Sequence, residues 1–528
     1  MQLDNLIQSI DILKSINKKS QLDITGLAYH SAKINDGNLF VCIKGFQTDG
    51  HKFLKHAVQN GAIAAVVEDV QEDVEIPQIV VQNSRIALAQ LANFYYAEPS
   101  KKLNMIGITA TNGKTTTTFM TNAILEQKGL NTGLIGTVAV KYGNESYPSE
   151  LTTPESLDLQ YYLDQMVKHE VSHVTMEVSS KALESYRVEK VDYDIVTLNN
   201  ISREHIDDHG SFQQYFDSKA SLIRNASENS FAVLNLDNDY SASLINETNA
   251  SVVTFGVESN NGHLTCKSLD LSTGRAKFTV EVLKPFGKEP NVMQPQTFDI
   301  ELSVPGLHSV YNSMVAITCG LLNGISISNI QNALKHFVGV ERRFEYIYEG
   351  DFKVIDDHFA NAGNIEVTLK TVQHMDYNQF HLVYSIRGGR GPTVNRENAE
   401  AIAYWAPKLG LKDVYATKSE SHVASKDQVS QEEEEAFLNV LEEAGINVNL
   451  YNELNDAIDD ALNKTQSNDL VILGGAQGMD YGAGLALESL HKLKPHLSDE
   501  ELFLPLKNRV AGVTKKQREL LLKLAPHQ

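Results

Sequence analysis

Cysteine is nearly absent. Cys42, Cys266 and Cys319 stand far apart in 528 residues, which excludes a disulfide framework or a thiolate metal cluster and predicts buried thiols in a reducing compartment. Long apolar runs are missing too. No stretch is long enough to span a bilayer, and Met1-Gln2-Leu3-Asp4 begins no signal peptide, so a cytoplasmic chain is expected. Positive charge is in deficit, with 46 Lys and Arg against 67 Asp and Glu, a net charge of −21. Neither nucleic acid nor an anionic membrane is attracted to such a surface. An anionic small molecule in a locally positive cleft stays compatible with it. There is no internal repeat and no low-complexity tract. What remains, 42% hydrophobic and 21% charged residues, is ordinary globular composition, and the length calls for about three domains.

The densest signal is Ile106-Gly107-Ile108-Thr109-Ala110-Thr111-Asn112-Gly113-Lys114-Thr115-Thr116-Thr117. Leu103 to Ile108 reads as an apolar strand. Lys114 to Lys128 reads as a helix with Phe119, Ala123, Ile124 and Leu125 on its apolar face and Gly129 as its stop. The small residues between them aim backbone N–H groups and a helix N-terminus at one point, as a polyphosphate requires. Lys114 then reaches the outer phosphates, and the Thr115 hydroxyl ligates Mg²⁺. Five residues separate Gly107 from Gly113, one more than the strict phosphate-loop motif has.

Residues 1–101 read as a small α/β domain. Its strands are Asn38 to Ile43 and Ala64 to Val67, and its helices His51 to Asn60 and, capped by Asn83-Ser84, Arg85 to Tyr95; Glu98-Pro99-Ser100 reads as a linker. Residues 102–341 form a central domain. There the strand His173 to Val178 delivers Glu177 and Ser179 at its C-terminal end, where open α/β sheets place their ligands. Asp194 to Asn200 does the same for Asn200, with His205, Asp207, Asp208 and His209 in the loop beyond, and a later helix carries Asn312. Residues 342–528 alternate strand and helix. Strands are expected at Lys353 to Ile355, His381 to Ser385, Val414 to Ala416, Asn447 to Leu450 and Leu470 to Leu473, which predicts a doubly wound, mostly parallel sheet. Ser430 and Glu433 form a capping box for the helix Gln431 to Ala444. The segment from about Leu490 holds a helix capped by Thr514 and Gln517 and carries no evident chemistry.

The central run Met176-Glu177-Val178-Ser179-Ser180-Lys181, Arg187-Val188 and Asn200-Ile201-Ser202-Arg203-Glu204-His205-Ile206-Asp207-Asp208-His209-Gly210 resembles the MurE branch of the Mur ligases. The resemblance extends upstream through Gly113-Lys114-Thr115 and Thr152-Thr153-Pro154. It also takes in Ser31, Gly37-Asn38-Leu39-Phe40-Val41 and Asp49-Gly50-His51, covering about the first 345 residues. It implies three domains: a UDP-binding domain, a central phosphate-loop ATPase-like domain and a C-terminal Rossmann-like domain. It further implies an ATP- and Mg²⁺-dependent enzyme that adds an amino acid to UDP-N-acetylmuramoyl-L-alanyl-D-glutamate in peptidoglycan synthesis. Such an enzyme is expected to act as a monomer, without nucleic-acid partners.

Activating a carboxylate by phosphoryl transfer gathers negative charge, so fixed cations are needed. By resemblance, Thr111, Asn112, Gly113, Lys114, Thr115, Thr116, Asn312, Arg343 and Asp356 bind ATP. Thr115 and Glu177 hold a first Mg²⁺ and His205 a second, beside Lys219, which the family carries as a carbamate. Ser31 contacts the uridine moiety, and Thr152, Thr153, Ser179 and Arg187 the muramoyl-dipeptide. Lys114, Lys219, His205 and Glu177 are the expected catalytic set.

Departures cluster where the incoming amine is chosen. Asp356-Asp357-His358-Phe359-Ala360-Asn361 replaces the family's Asp-Tyr-Ala-His. Ser419-Glu420-Ser421-His422 replaces Asp-Asn-Pro-Arg, and Gly475-Ala476-Gln477-Gly478-Met479 replaces Gly-Lys-Gly-His-Glu. Ala110 stands for a glycine and Lys181 for a histidine. Arg387, Arg390 and Glu420 are the candidate acceptor contacts, and lysine, another amine and ammonia are all open as acceptor. Two other readings are a paralogue extending a different carboxylate and a nucleotide-binding regulator with a decayed acceptor site. The uridine motifs weigh against the first, and the intact metal positions against the second.

Overall fold

The computed structural model describes residues 1–19, 21–45, 48–202, 211–271, 275–507, 509 and 512–524. Three sheets organise them. The first comprises β1 (Lys14–Ile16), β2 (Gly26–Ala28), β3 (Asn38–Val41), β4 (Ala62–Val67) and β5 (Gln78–Val80), in the order β1-β5-β4-β3-β2. Only β1 runs antiparallel to its neighbour. The helix Ser84–Tyr95, capped by the Asn83 side chain, covers one face with Leu88, Leu91 and Ala92. Leu157, from the helix Ser156–Lys168 that follows the first part of the next sheet, joins the same apolar cluster. The presumed linker is a packed joint: Pro99 and Ser100 are buried, and Ser100 Oγ accepts the Asp192 N–H at 3.1 Å.

The second sheet has eleven strands. They are β6 (Asn104–Thr109), β7 (Thr132–Ile135), β8 (Ala139–Tyr142), β9 (Glu145–Pro148), β10 (His173–Glu177), β11 (Ile195–Leu198), β12 (Phe231–Asn235), β13 (Ser251–Gly256), β14 (Leu264–Asp270), β15 (Arg275–Val282) and β16 (Gln296–Pro305). Their order is β16-β15-β14-β13-β12-β11-β6-β10-β7-β8-β9. β6 lies between β10 and β11, parallel to both, so three strand C-termini open into one crevice. The helices Lys114–Gln127 and Leu307–Leu322 pack on one face through Met120, Ile124, Met314 and Ile317. Met120 was absent from the expected apolar face, and Phe119 and Ala123 are only partly buried. Burial on several sides overrides simple amphipathic spacing here. The antiparallel β14–β16 edge escaped the sequence reading: β14 is buried only over its first three residues, and charged and polar residues interrupt β15 and β16.

The third sheet holds β17 (Glu345–Glu349), β18 (Lys353–Asp357), β19 (Phe380–Ser385), β20 (Asp413–Thr417), β21 (Asn447–Tyr451) and β22 (Leu470–Gly474), ordered β17-β18-β22-β19-β20-β21. Helices cover both faces and only β17 is antiparallel, the doubly wound arrangement the alternation predicts. The Ser430–Glu433 capping box forms. The C-terminal segment packs Leu502, Phe503, Leu506 and Val513 into the third sheet's core. It also delivers Arg509, buried against Glu345 and Asp356, a structural contact that the sequence reading did not anticipate. Burial opposes the charge on Arg509, but Asp356 and Glu345 outweigh it and raise the guanidinium above its ordinary range. No described helix is long and apolar enough to cross a membrane.

Candidate active site

Beyond β6 the chain turns through Ala110-Thr111-Asn112-Gly113 into the helix Lys114–Gln127. Gly113 sits at φ +87°, and a Cβ there would lie 2.2 Å from Asn312 Oδ1. Position 113 therefore demands glycine on both counts. The end of β11 clamps the turn. Thr111 N–H donates to Asn200 O at 2.8 Å and Asn112 N–H to Asn200 Oδ1 at 3.0 Å, while Asn200 Nδ2 donates back to Asn112 O at 3.0 Å. Thr111 Oγ1 accepts from Ser202 N at 3.1 Å and from the Tyr215 hydroxyl at 3.0 Å. Lys114 Nζ folds over the turn onto the Ala110 and Thr111 carbonyls, both at 3.0 Å. With no side chain capping it, the helix N-terminus presents its N–H groups to the cleft.

Glu177, at the end of β10, is wholly buried. Its carboxylate accepts from Thr115 Oγ1 at 2.9 Å, Thr137 N at 2.7 Å and Thr137 Oγ1 at 3.1 Å. Gly136 makes room for it: a Cβ there would stand 2.4 Å from Glu177 Oε1. Next door, Thr153 Oγ1 donates to Glu177 O at 2.7 Å and accepts Ser179 N–H at 3.1 Å. Arg187 donates to Thr153 O at 3.1 Å and pairs with Glu155 at 2.9 Å, while Arg85 from the first sheet's helix reaches Glu155 at 3.4 Å.

The cleft, about 560 Å³, is closed by the third sheet's Arg343, Asp357, His358 and Asn364. Asn364 Nδ2 donates to Asn112 Oδ1 at 3.1 Å, fastening the two units across the phosphate loop. Burial lowers the Arg343 pKa, opposed by Asp357 and Glu177. Burial pushes Asp357 up to about 7 against the pull of Arg343. Burial and Arg342, Arg343 and Arg387 hold His358 well below the usual imidazole range, so it is neutral. Arg342 and Phe344, either side of Arg343, adopt φ +57° and +52°. Each such non-glycine conformation costs about 1–3 kcal/mol and persists only where its surroundings enforce it. Opposite, Asn312 lines the cleft; its Oδ1 accepts from Asn199 Nδ2 at 3.2 Å and its Nδ2 is buried without a hydrogen-bond partner.

Comparison with known proteins agrees with this geometry. Family models match in three segments: the Mur ligase family catalytic domain at residues 23–96, the Mur ligase middle domain at 108–320 and the Mur ligase glutamate ligase domain at 342–477. A UDP-N-acetylmuramoyl-L-alanyl-D-glutamate–2,6-diaminopimelate ligase from Caldanaerobacter subterraneus subsp. tengcongensis is 33% identical over 476 residues, 88% of this chain and 93% of the relative. The chain belongs to the Mur ligase family. It is accordingly an ATP-dependent ligase. A solved structure of a UDP-N-acetylmuramoyl-L-alanyl-D-glutamate–2,6-diaminopimelate ligase shares the Mur ligase fold with a TM-score of 0.66 at 19% identity, covering 94% of this chain and 100% of that one. The MurF ligase from Thermotoga maritima, in complex with ADP, does so with a TM-score of 0.59 at 19% identity, covering 89% and 98%.

Within this Mur ligase, the cleft gathers Thr111, Asn112, Gly113, Lys114, Thr115, Thr116, Thr152, Glu177, Asn312 and Arg343. Thr153, Ser179 and Arg187 sit directly behind Glu177. Lys219 lies beneath the loop, buried, donating to Ala110 O at 2.9 Å and stacked 4.9 Å from the Tyr215 ring. His205, Asp207, Asp208 and His209 lie outside the described residues. Asp356 is a correction: it is fully buried between Arg342 and Arg509, and its neighbour Asp357 lines the cleft instead. Adjacent strand residues point to opposite faces, so an Asp-Asp pair does not announce which one turns inward. Arg387 donates to Ala360 O, and Arg390 to Gly389 O at 3.3 Å. The N–H groups of Gly389, Arg390 and Gly391 are taken by the Glu433 carboxylate at 2.7–3.3 Å. Glu420 pairs with Lys418 at 3.1 Å. As site residues, Asn199, Thr137, Asp357 and Asn364 were missed; of these Asp357 alone stands in a motif position, where the adjacent Asp356 took the assignment.

Among the described residues, no three His, Cys, Asp or Glu side chains are grouped to hold a metal. Mg²⁺ does not require such a cage, since it binds through one or two carboxylates plus phosphates. Thr115 and Glu177 offer the hard oxygen donors it takes.

Two outcomes are expected. Gly113→Ala should weaken ATP binding by about 5- to 30-fold, since the loop escapes about 1–2 kcal/mol of left-handed strain by leaving the geometry that receives phosphate; unchanged affinity by calorimetric titration would contradict the loop geometry. Asp357, raised to about 7, keeps in the folded state a proton that the unfolded chain releases near pH 3.9. Its contribution to stability is therefore lost as pH rises between those values. The unfolding midpoint of the parent, measured relative to Asp357→Asn, should fall between about pH 5 and 7. A constant difference over that range counts against it.

Proposed function

We propose that this Mur ligase joins an amine to a glutamyl carboxylate of UDP-N-acetylmuramoyl-L-alanyl-D-glutamate through an acyl phosphate. The observation that carries the reading is the Thr115–Glu177 contact at the mouth of the phosphate loop, in the cleft that Arg343 closes from the third sheet. Thr111 to Thr116 cradle the ATP phosphates, Lys114 Nζ turns from its two carbonyls to the outer phosphate, and Arg343 approaches from across the cleft. Asn312, with its unmet Nδ2, binds the base. Thr115 and Glu177 would hold Mg²⁺, which supplies charge neutralisation to the phosphates when bound. His205 and a carbamylated Lys219 are assigned to a second ion; carbamylation would turn a buried cation into an anion.

A carboxylate oxygen attacks the γ-phosphorus and ADP leaves. The neutral amine then attacks the acyl carbon, loses a proton and expels phosphate. Closure by Arg343 and Asn364 keeps water from the acyl phosphate. Thr152, Thr153, Ser179 and Arg187 position the muramoyl-dipeptide. Ser31 is assigned to the uridine: it lies just beyond the C-terminal end of β2, and Asp49 to His51 lie beyond that of the adjacent parallel β3. Arg387, Arg390 and Glu420, beyond β19 and β20 on the sheet edge that also presents Asp357, are assigned to the amine. Their internal partners and the Ser419-Glu420-Ser421-His422 run leave the amine open, whatever the relatives accept.

ADP release should require both the UDP-muramoyl-dipeptide and an amine, with ligated product identified by mass across an amine panel. Lys114→Ala should reduce turnover by about 10²-fold or more. ADP release indifferent to every UDP-sugar peptide would end this reading.

A further inference from the structure

Arg509 stands beyond the last family match, which ends at residue 477. Its side chain is 2% exposed, with Nη2 2.6 Å from Asp356 Oδ2 and 2.5 Å from Glu345 Oε2. Those two carboxylates face each other across the β17–β18 pair. Arg342 shares Asp356, at 3.4 Å, and also reaches Asp480 and the Gly475 and Ala476 carbonyls. Glu345 in turn accepts the Arg342 backbone N–H at 2.8 Å. Arg343 is thus carried on a turn whose two flanking residues are both in the left-handed region. On one side the turn is held by this buried charge cluster. On the other, Asp357 Oδ2 accepts the Phe344 N–H at 2.7 Å.

Without Arg509, Asp356 would keep the Arg342 Nε at 3.4 Å and the facing, largely buried Glu345 carboxylate would keep the Arg342 backbone N–H. Like charges so placed repel, and the charge cluster that restrains the strained turn would lose one of its two cations. We propose that Arg509 is a positioning residue for Arg343: the C-terminal segment locks the turn that presents Arg343 to the nucleotide. This rests on the reading that ATP occupies the cleft.

Full-length Arg509→Met, Arg509→Lys, Asp356→Asn and Leu502→Ala are compared by steady-state kinetics and thermal unfolding, with Lys114→Ala as reference. Leu502 is buried in the same segment but carries no charge. Arg509→Met should raise KM for ATP at least about tenfold while KM for the UDP-muramoyl-dipeptide stays near the parent's. Arg509→Lys should recover part of the loss, and Leu502→Ala should leave both values alone. Should Arg509→Met not fold, Asp356→Asn breaks the same link and carries the same expectation. An unchanged ATP KM, an equal rise in every KM, or the same rise in Leu502→Ala overturns the positioning role. If Lys114→Ala leaves ATP kinetics unaltered, the nucleotide assignment itself fails, which is a distinct result.

Discussion

A carboxylate sealed from water is costly unless donors or cations surround it, and Glu177 is sealed completely. Its three donors come from two segments: Thr115 at the start of the helix after the phosphate loop, and Thr137 after β7, through both its N–H and its hydroxyl. That one side chain therefore registers the phosphate loop, the β7–β8 turn and the end of β10. Gly136 exists in its present form because any side chain would collide with it. The surrounding site inherits its alignment from this anchor: Thr153 hangs from the Glu177 carbonyl, and Arg187 hangs from Thr153.

The anchor alone makes half a site. The central sheet supplies N–H groups, Lys114 and the Thr115 and Glu177 oxygens, while Arg343, across the cleft, comes from a turn before β17. Holding a guanidinium in that half-buried position costs solvation, which Asp357 and Glu177 partly offset. The Asn364–Asn112 hydrogen bond fixes the spacing between the halves. Such preorganised charge in a water-poor cleft is what phosphoryl transfer needs, since the transition state asks more for placement than for covalent chemistry.

Much of this was legible beforehand where local chemistry dictates conformation. Gly113 and the strand–turn–helix flanks declare the phosphate loop, Asn83 and Ser430 declare their caps, and the β–α alternation after residue 342 declares a doubly wound sheet. Illegibility began where a side chain's role depends on distant partners. Asp356 and Asp357 are chemically identical, and the strand's facing together with Arg342 and Arg509, the latter from far along the chain, decides which one is structural. Arg387 and Arg390 look like free carboxylate receptors until Ala360, Gly389 and Glu433 are seen to occupy their surroundings. The β14–β16 edge carried too weak an apolar pattern to be read at all.

The central claim is that a substrate carboxylate takes a phosphoryl group in this cleft before the amine arrives. It is tested most directly by labelling the oxygens of both free glutamyl carboxylates of the UDP-muramoyl-dipeptide with ¹⁸O. During ligation, one labelled oxygen of the carboxylate that reacts should leave with the released phosphate and the other stay in the new amide. Phosphate carrying no label while ligated product accumulates would contradict the account.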